Sequence, residues 1–440
     1  MPPLIQSSTL KLLGIAVLCL LFAIPLGLVG DLVQERAGRL AEAEEGIARS
    51  QGRAQVLAPP VLEWRQRRTV LRDKEPVEVV DAHGQAPTRT TIDATLGVER
   101  RVRGIFEVPV YTADVLLRGE FVVAPEDRAR AALAGGIERL RLVLPVADLR
   151  GVRSVPRLHI DGRQLPLRSL GAPAFGIEAL GVELPPDLLA RERIGFELAF
   201  ALSGTRELSA WPLADETEVA IRGAWPAPSF AGAFLPRERE VSEDGFSAQW
   251  TVLAVNRDLP LRWTGEAPAP GALEAARFGV ELYEPLGVYR LSERSLKYGL
   301  LFVALTFGVF LLAELTGRLR VHPVQYLLVG LALAVFYVLL LALAEHLGFG
   351  VAYLVAGSAL TAILGAWGSA ALGGVRRGLA LGAWLAVLYG FLFLMVRSED
   401  FALLIGALGL LAMVAASLWL TRRIDWYQPR PAPPPTPAAA

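Results

Sequence analysis

The stretch from Val324 to Ala344 reads VQYLLVGLALAVFYVLLLALA and contains no charged residue. Written as a helix with a 1.5 Å rise per residue, it is long enough to cross a hydrocarbon core of about 30 Å. It has no polar face to turn to water, so as a soluble helix it would need apolar neighbours on every side. Four more segments of the same kind accompany it: Tyr298 to Gly317, Phe349 to Leu372, Leu379 to Val396 and Phe401 to Leu420. Together they make 298–421 a five-helix transmembrane block, cut by short charged loops.

A sixth apolar segment opens the chain. Leu12 to Val29 carries no charge, and no Ala-x-Ala follows it. A cleaved signal peptide has a shorter apolar core and a small-residue cleavage site, so 1–30 reads as an uncleaved transmembrane anchor. Pro25 should kink it. Cys19, the single cysteine, is most simply a small hydrophobe, and no intramolecular disulfide is possible. In 31–52 the sequence turns to Glu, Arg and Ala, with Val33, Leu40 and Ile47 seven residues apart. This is a stalk helix; a coiled-coil dimer seam is the alternative, although it falls short of the usual three or four heptads.

Composition agrees with a mixed membrane and soluble chain: 440 residues, 53% hydrophobic, 20% charged, with mean hydropathy +0.41. Net charge is zero, which argues against nucleic acid as a partner.

The intervening 53–297 is rich in Pro and Gly and alternates with period two, the mark of half-buried strands. Ile92, Ala94, Leu96 and Val98 alternate with polar residues, and so do Leu140, Leu142 and Leu144. The same pattern recurs in Ile194, Phe196, Leu198, Phe200 and Leu202, and in Phe246, Ala248, Trp250 and Val252. Asp161-Gly162 between two such runs predicts a tight hairpin. Only Pro125 to Gly135 and Pro185 to Arg193 look helical. The expected fold is an α-helical polytopic membrane protein of six transmembrane helices. A large β-rich, sandwich-like extracytoplasmic domain lies between the first and second helices, built of antiparallel sheets as one sandwich or two packed subdomains.

Arginine distribution sets the orientation. Arg318, Arg320, Arg376, Arg377, Arg422 and Arg423 fall in alternate loops, whereas the others carry Glu345 and His346, then Arg397 with Glu399 and Asp400. Lys and Arg gather on the cytoplasmic side, which puts both termini inside and the β domain outside. Residues 422–440 form a cytoplasmic, Pro-rich tail.

Chemical motifs are sparse. There is no nucleophile elbow, phosphate loop or His-Glu-x-x-His, and the four histidines stand singly. No catalytic, cofactor or metal residue is assigned. A Ser-His-Asp triad assembled in space stays open. Glu314 is the one carboxylate inside a span, a candidate intramembrane polar residue; pairing with Arg318 one turn on explains it without transport. Thr306, Ser358, Thr361 and Ser369 read as interhelical hydrogen-bonding groups, and Gly365 and Gly368 as close-packing positions. The stretch Trp225 to Trp250 concentrates aromatics with prolines and a charged run. Its rings either complete the β core or, as Trp225, Phe230, Phe234, Arg237 and Arg239, form a partner-contact surface.

Several motifs carry a resemblance. Trp225-Pro226-x-Pro228-Ser229-Phe230-x-Gly232-x-Phe234-Leu235-Pro236 is followed by Arg239-Glu240-Val241-Ser242-Glu243. Further on come His322-Pro323-x-Gln325-Tyr326-Leu327-Leu328, Phe336-Tyr337, Glu345-His346 and Ile424-Asp425-Trp426-Tyr427. In these the chain resembles the CreD family of bacterial inner-membrane, cell-envelope integrity proteins, along nearly its whole length. The resemblance implies a multi-pass inner-membrane protein tied to envelope homeostasis and a two-component stress response. It carries over no catalytic residue, ligand or cofactor. The expected function is a non-enzymatic scaffold or binding module, with the lipid bilayer and an envelope protein or second copy as partners. A transporter or channel component is the alternative, and an anchored ligand-binding or hydrolytic domain ranks below it.

Overall fold

The computed structural model describes residues 7–422, apart from 73–74, 134–135, 283–286, 316–320, 372–373 and 399–400. The chain divides into two compact units: Leu40–Pro285, and Met1–Arg39 together with Leu286–Ala440.

The first unit is a β sandwich. Its ten-stranded sheet runs Pro228–Gly232, Phe278–Leu282, Glu207–Ala210, Gln55–Leu57, Arg139–Val146, Val61–Arg72, Glu75–Gln85 and Arg262–Thr264, with Glu178–Leu184 and Arg168–Ser169 branching from Arg139–Val146. The eight-stranded sheet runs Glu238–Val241, Phe246–Leu253, Glu216–Gly223, Arg89–Arg103, Phe106–Val122, Arg193–Thr205, Arg157–Ile160 and Arg163–Pro166. One hydrophobic core joins the two: Leu62, Leu140, Leu142 and Phe278 meet Ile92, Leu117, Leu198 and Trp250. The rings of Trp250 and Phe278 touch across it, with centroids 5.7 Å apart. The period-two residues point into this core, as the pleat requires.

Two pairings depart from the antiparallel expectation. Gln55–Leu57 lies parallel to Glu207–Ala210, and Glu216–Gly223 parallel to Arg89–Arg103. Alternation reports which face a residue takes and is blind to strand direction, so the sequence could not reveal this. The Asp161-Gly162 hairpin forms as read, joining Arg157–Ile160 to Arg163–Pro166 with φ of 49° and 78° at its two central residues. Positive φ at both positions is the signature of a type I′ turn, which Asp and Gly tolerate. The two expected helices shorten to Pro125–Ala131 and a 3-10 turn at Pro186–Ala190. A third short helix, Pro270–Ala275, covers the outer side of the ten-stranded sheet, where Leu273 joins Val61, Val143 and Trp211 in a second apolar cluster.

The stalk helix runs unbroken through Ala23–Gln51, and the β unit begins inside it at Leu40. Ile47 packs on Val108 and Val110. A coiled-coil seam therefore loses its last apolar position, because that side chain is already covered within the chain. Gly52, with φ of 94°, ends the helix; a Cβ there would lie 2.7 Å from the Ser203 carbonyl oxygen.

In the membrane unit, four helices are long and apolar enough to cross a bilayer: Leu12–Gln51, Pro323–Leu347, Phe349–Ala371 and Val375–Arg397. The count is five if Val288–Lys297 and Gly299–Leu311, bent by 49°, form one broken span. A further helix, Ala402–Thr421, is apolar over Leu403–Ala412. The N-terminal helix has a one-residue break at Phe22, between Ser7–Leu21 and Ala23–Gln51, yet continues across it as the one span Leu12–Gln51. Pro25 accounts for the break, since its ring clashes with the carbonyl four residues earlier. Gly365 lies 3.5 Å, measured from an ideal Cβ, from the Gly382 backbone, so small residues let Phe349–Ala371 and Val375–Arg397 approach closely. Ser369, read as an interhelical donor, instead bonds the Gly365 carbonyl of its own helix at 3.0 Å. Arg318, Arg320, Arg423, Trp426 and the tail 423–440 lie outside the described residues.

Candidate functional site

The aromatic stretch closes one side of the sandwich. Pro228–Gly232 is an edge strand of the ten-stranded sheet and Glu238–Val241 an edge strand of the eight-stranded one, so the chain between them crosses from sheet to sheet. Prolines fit here because edge strands need not donate on both sides. Phe230 meets Trp250 edge-on at 5.9 Å and Phe246 at 6.2 Å; Phe234 meets Phe278 at 5.8 Å. The Trp250 indole N–H donates to the Phe234 carbonyl at 3.1 Å, and the buried Trp225 donates to the Ala227 carbonyl at 3.1 Å. The three rings are thus parts of the core, and they are not displayed together. Arg237 and Arg239 are exposed. Arg239 pairs across from the inward-facing Ala248, so a charge sits on the core side of the edge. That arrangement discourages a further strand from adding there.

Beside this edge, the outer face of the eight-stranded sheet holds a recess of about 500 Å³. Its floor is Ala220, flanked in register by Asp93 on one neighbouring strand and Gln249 on the other. Glu218, Arg222, Arg237 and Glu238 stand around it. Arg222 reaches Asp93 at 3.7 Å, and Glu218 takes a 3.1 Å bond from Arg89. The side chains of Arg237, Glu238 and Gln249 make no hydrogen bond or ion pair with another described side chain.

Where the stalk helix ends, a polar nest receives it. The Ser203 hydroxyl donates to the Gln51 carbonyl, and Arg153 bonds Gln51 Oε1 at 2.6 Å and the Ser50 carbonyl at 3.2 Å. Cations and donors at a helix C-terminus satisfy its last carbonyls and suit its dipole. Arg206 reaches back to Glu44 at 2.8 Å. Burial works against the Asp148 charge, but bonds from Arg150 and the Arg53 amide outweigh it and hold its carboxyl below the usual range.

The membrane unit gathers its own polar cluster. The Glu345 side chain is only 9% exposed; it accepts from the Tyr289 hydroxyl at 2.9 Å and lies 3.8 Å from the Arg36 guanidinium. Tyr289 belongs to Val288–Lys297, an amphipathic helix that buries Leu291, Ser292 and Ser295 and turns Glu293 and Lys297 outward. Arg294 donates to the Ser398 carbonyl at 2.7 Å, and the Tyr337 hydroxyl to the Ser295 carbonyl at 3.4 Å. Thr306 is fully buried beside the Tyr389 hydroxyl. The Glu314 side chain lies outside the described residues; its backbone sits in the last turn of Gly299–Leu315.

With both units in view, the chain matches the family described as Inner membrane protein CreD over residues 7–427. It is also 34% identical over 417 residues to the Inner membrane protein CreD of Escherichia coli (strain K12), covering 93% of this chain and 91% of that one. The chain belongs to the CreD family. It is accordingly an inner-membrane protein with several apolar spans and a β-rich unit.

The motifs quoted from this sequence for the resemblance now have physical uses. His322 caps the helix Pro323–Leu347: its Nδ1 accepts from the Val324 amide at 3.3 Å, while Gln325 accepts from the His322 amide at 2.9 Å. The histidines stay apart. His83 stacks on Trp64 at 5.5 Å and faces Thr264 at 3.1 Å, and burial pushes its imidazole below the ordinary histidine range. His159 lies opposite Glu197 and Gln164, and His346 is exposed. Among the described residues no three His, Cys, Asp or Glu side chains gather as a metal site.

Sequence reading missed Tyr289, Arg294 and Ser295. The signal was present: Val288, Leu291, Ser292, Ser295 and Leu296 repeat at helical spacing against Arg290, Glu293, Arg294 and Lys297. It missed the recess as well, because polar residues on an outer sheet face look the same whether they line a hollow or bare solvent.

Proposed function

We propose that this protein serves cell-envelope integrity as a non-enzymatic scaffold and binding module. In this reading it spans the inner membrane six times, keeps both termini in the cytoplasm and holds the β unit on the extracytoplasmic side. One observation carries the topology. Arg36, just before the chain enters the β unit, meets Glu345 at the end of Pro323–Leu347. That pair supports a common side for the β unit and the loop after Leu347. Counting helices onward, Arg376 and Arg377 then fall on the opposite side, where cationic residues accumulate in the cytoplasm.

Reporter fusions test it. Fusions after Arg377 and Arg430 are expected to behave as cytoplasmic, and those near His346 and Glu399 as periplasmic; one reversed pair overturns the six-span arrangement. Native mass spectrometry of the purified chain tests the binding role, expecting a retained envelope constituent.

A second reading, a component of a transporter for an envelope constituent, is favoured by one feature. The span beginning at Val288 is broken by 49° after the helix that buries the hydroxyls of Ser292 and Ser295. Discontinuous helices frame substrate sites in many transporters. Uptake into proteoliposomes distinguishes it from a scaffold.

A further inference from the structure

We propose that the recess over Ala220 binds an uncharged, hydroxyl-rich glycan chain; this rests on the reading of the β unit as a binding module. Three observations carry it. First, the recess exists because a small side chain, Ala220, sits between longer ones on the same rung, Asp93 and Gln249. At about 500 Å³ it falls within the usual range of ligand sites, about 300–1,000 Å³. Second, beside the paired Asp93, Arg222 and Glu218, part of its hydrogen-bonding capacity is unspent. The Arg237 guanidinium, Glu238 carboxylate and Gln249 amide are planar groups with no partner among the described side chains, and each can grip two adjacent hydroxyls. Donors (Arg222, Arg237), acceptors (Asp93, Glu218, Glu238) and the amide of Gln249, which does both, line the recess, which suits a ligand whose every group both donates and accepts.

Third, charge selects against ionic polymers. Asp93, Glu218 and Glu238 face Arg222 and Arg237, three carboxylates against two guanidinium groups. The balance gives a polyanion no net attraction, and the two arginines break up any purely acidic field for a polycation. A peptide strand is a poor occupant as well, because the recess lies across the face of a sheet whose backbone groups are already paired on both sides. The occupant is therefore a neutral saccharide held by side-chain hydrogen bonds in a wet, shallow site.

The test uses the full chain in detergent micelles and isothermal titration with three probes: a β-1,4-linked N-acetylglucosamine oligomer, an unsubstituted β-glucan oligomer and polygalacturonate. Binding of either neutral oligomer, weaker or absent for polygalacturonate, is expected; the two neutral arms distinguish an amino-sugar wall polymer from a plain glucan. Ala220→Phe fills the recess at an outward strand position that favours aromatic residues, so folding survives while affinity falls by about tenfold or more. Gln249→Ala keeps the sheet and lowers affinity several-fold. A melting curve for each variant checks that the fold is intact. The proposal is overturned if neither neutral oligomer binds, if polygalacturonate binds more tightly, or if Ala220→Phe binds as the parent does. Failure here leaves the fusion assay untouched, since binding by purified protein does not depend on which side of the membrane the domain occupies.

Discussion

Truncating Phe230 or Phe234 to alanine asks whether the aromatic seam holds the sandwich together or meets a partner. Phe230 has two aromatic neighbours, Trp250 at 5.9 Å and Phe246 at 6.2 Å; Phe234 has Phe278 at 5.8 Å. Removing a fully buried phenylalanine costs about 3–5 kcal/mol. Both rings are half-buried, which lowers the cost to about 2–3 kcal/mol, including about 0.5–1.5 kcal/mol for the lost ring–ring geometry. For a domain of this size each kcal/mol moves the melting temperature by about 2–4 °C, so each variant should melt about 4–12 °C early. Tryptophan fluorescence of the full chain in micelles reports the transition directly, because Trp250 touches the Phe230 ring. Phe234→Ala should in addition loosen the seam around the Trp250 N–H bond to the Phe234 carbonyl. If both variants keep the parental melting curve yet lose the proposed envelope function in cells, the core assignment is refuted and the rings are contact residues after all.

Three other perturbations have clear expected outcomes. Gly52→Ala forces a side chain onto a φ of 94° and against the Ser203 carbonyl, and should destabilise the β unit by about 2–3 kcal/mol; limited proteolysis between the stalk and the first strand would reveal it, and an unchanged cleavage rate would count against the nest. His83 has a depressed pKa, so the unfolded chain binds the proton more readily; stability from this residue is complete above about pH 6.5 and declines as pH falls through the folded value. His83→Phe should flatten that part of the pH–stability curve, and an identical slope in both proteins would exclude the residue as its source. Arg239→Val removes the charge from the core side of the edge strand, and size-exclusion chromatography should then show dimers or aggregates; a strictly unchanged profile would show that the edge is guarded elsewhere.

Much of the architecture was legible. Ile92, Leu140, Leu198 and Trp250 declared their inward faces by alternation, and Val324 to Ala344 declared a span by length and lack of charge. Asp161-Gly162 named its own turn. What stayed hidden has a common physical cause: it depends on residues far apart in the chain. The parallel pairing of Glu216–Gly223 with Arg89–Arg103 leaves no local trace, because either direction presents the same faces. The Glu345, Tyr289 and Arg36 cluster joins three separate helices, and Glu345 by itself looked like a loop residue. Phe230 and Phe234 gave an ambiguous signal for a different reason, since prolines around an aromatic mark both an edge strand and a binding loop. Glu314 keeps its sequence reading, pairing or function, as an expectation.

The nest around the end of the stalk helix also fixes an order of events during biogenesis. The Ser203 hydroxyl that caps Gln51 lies 152 residues later in the chain, and of the two partner strands of Gln55–Leu57 the later is Glu207–Ala210. At about 5–20 residues per second, the helix end waits roughly 8–30 s for its partner to be synthesised. Neighbouring hairpins, Val61–Arg72 with Glu75–Gln85 and Arg89–Arg103 with Phe106–Val122, need no such wait. The segment closest to the anchor is therefore fastened in stages, first by Val108 and Val110, then by Arg139–Val146 and Arg153, and the tether is fully tightened only when Ser203 and Glu207–Ala210 arrive.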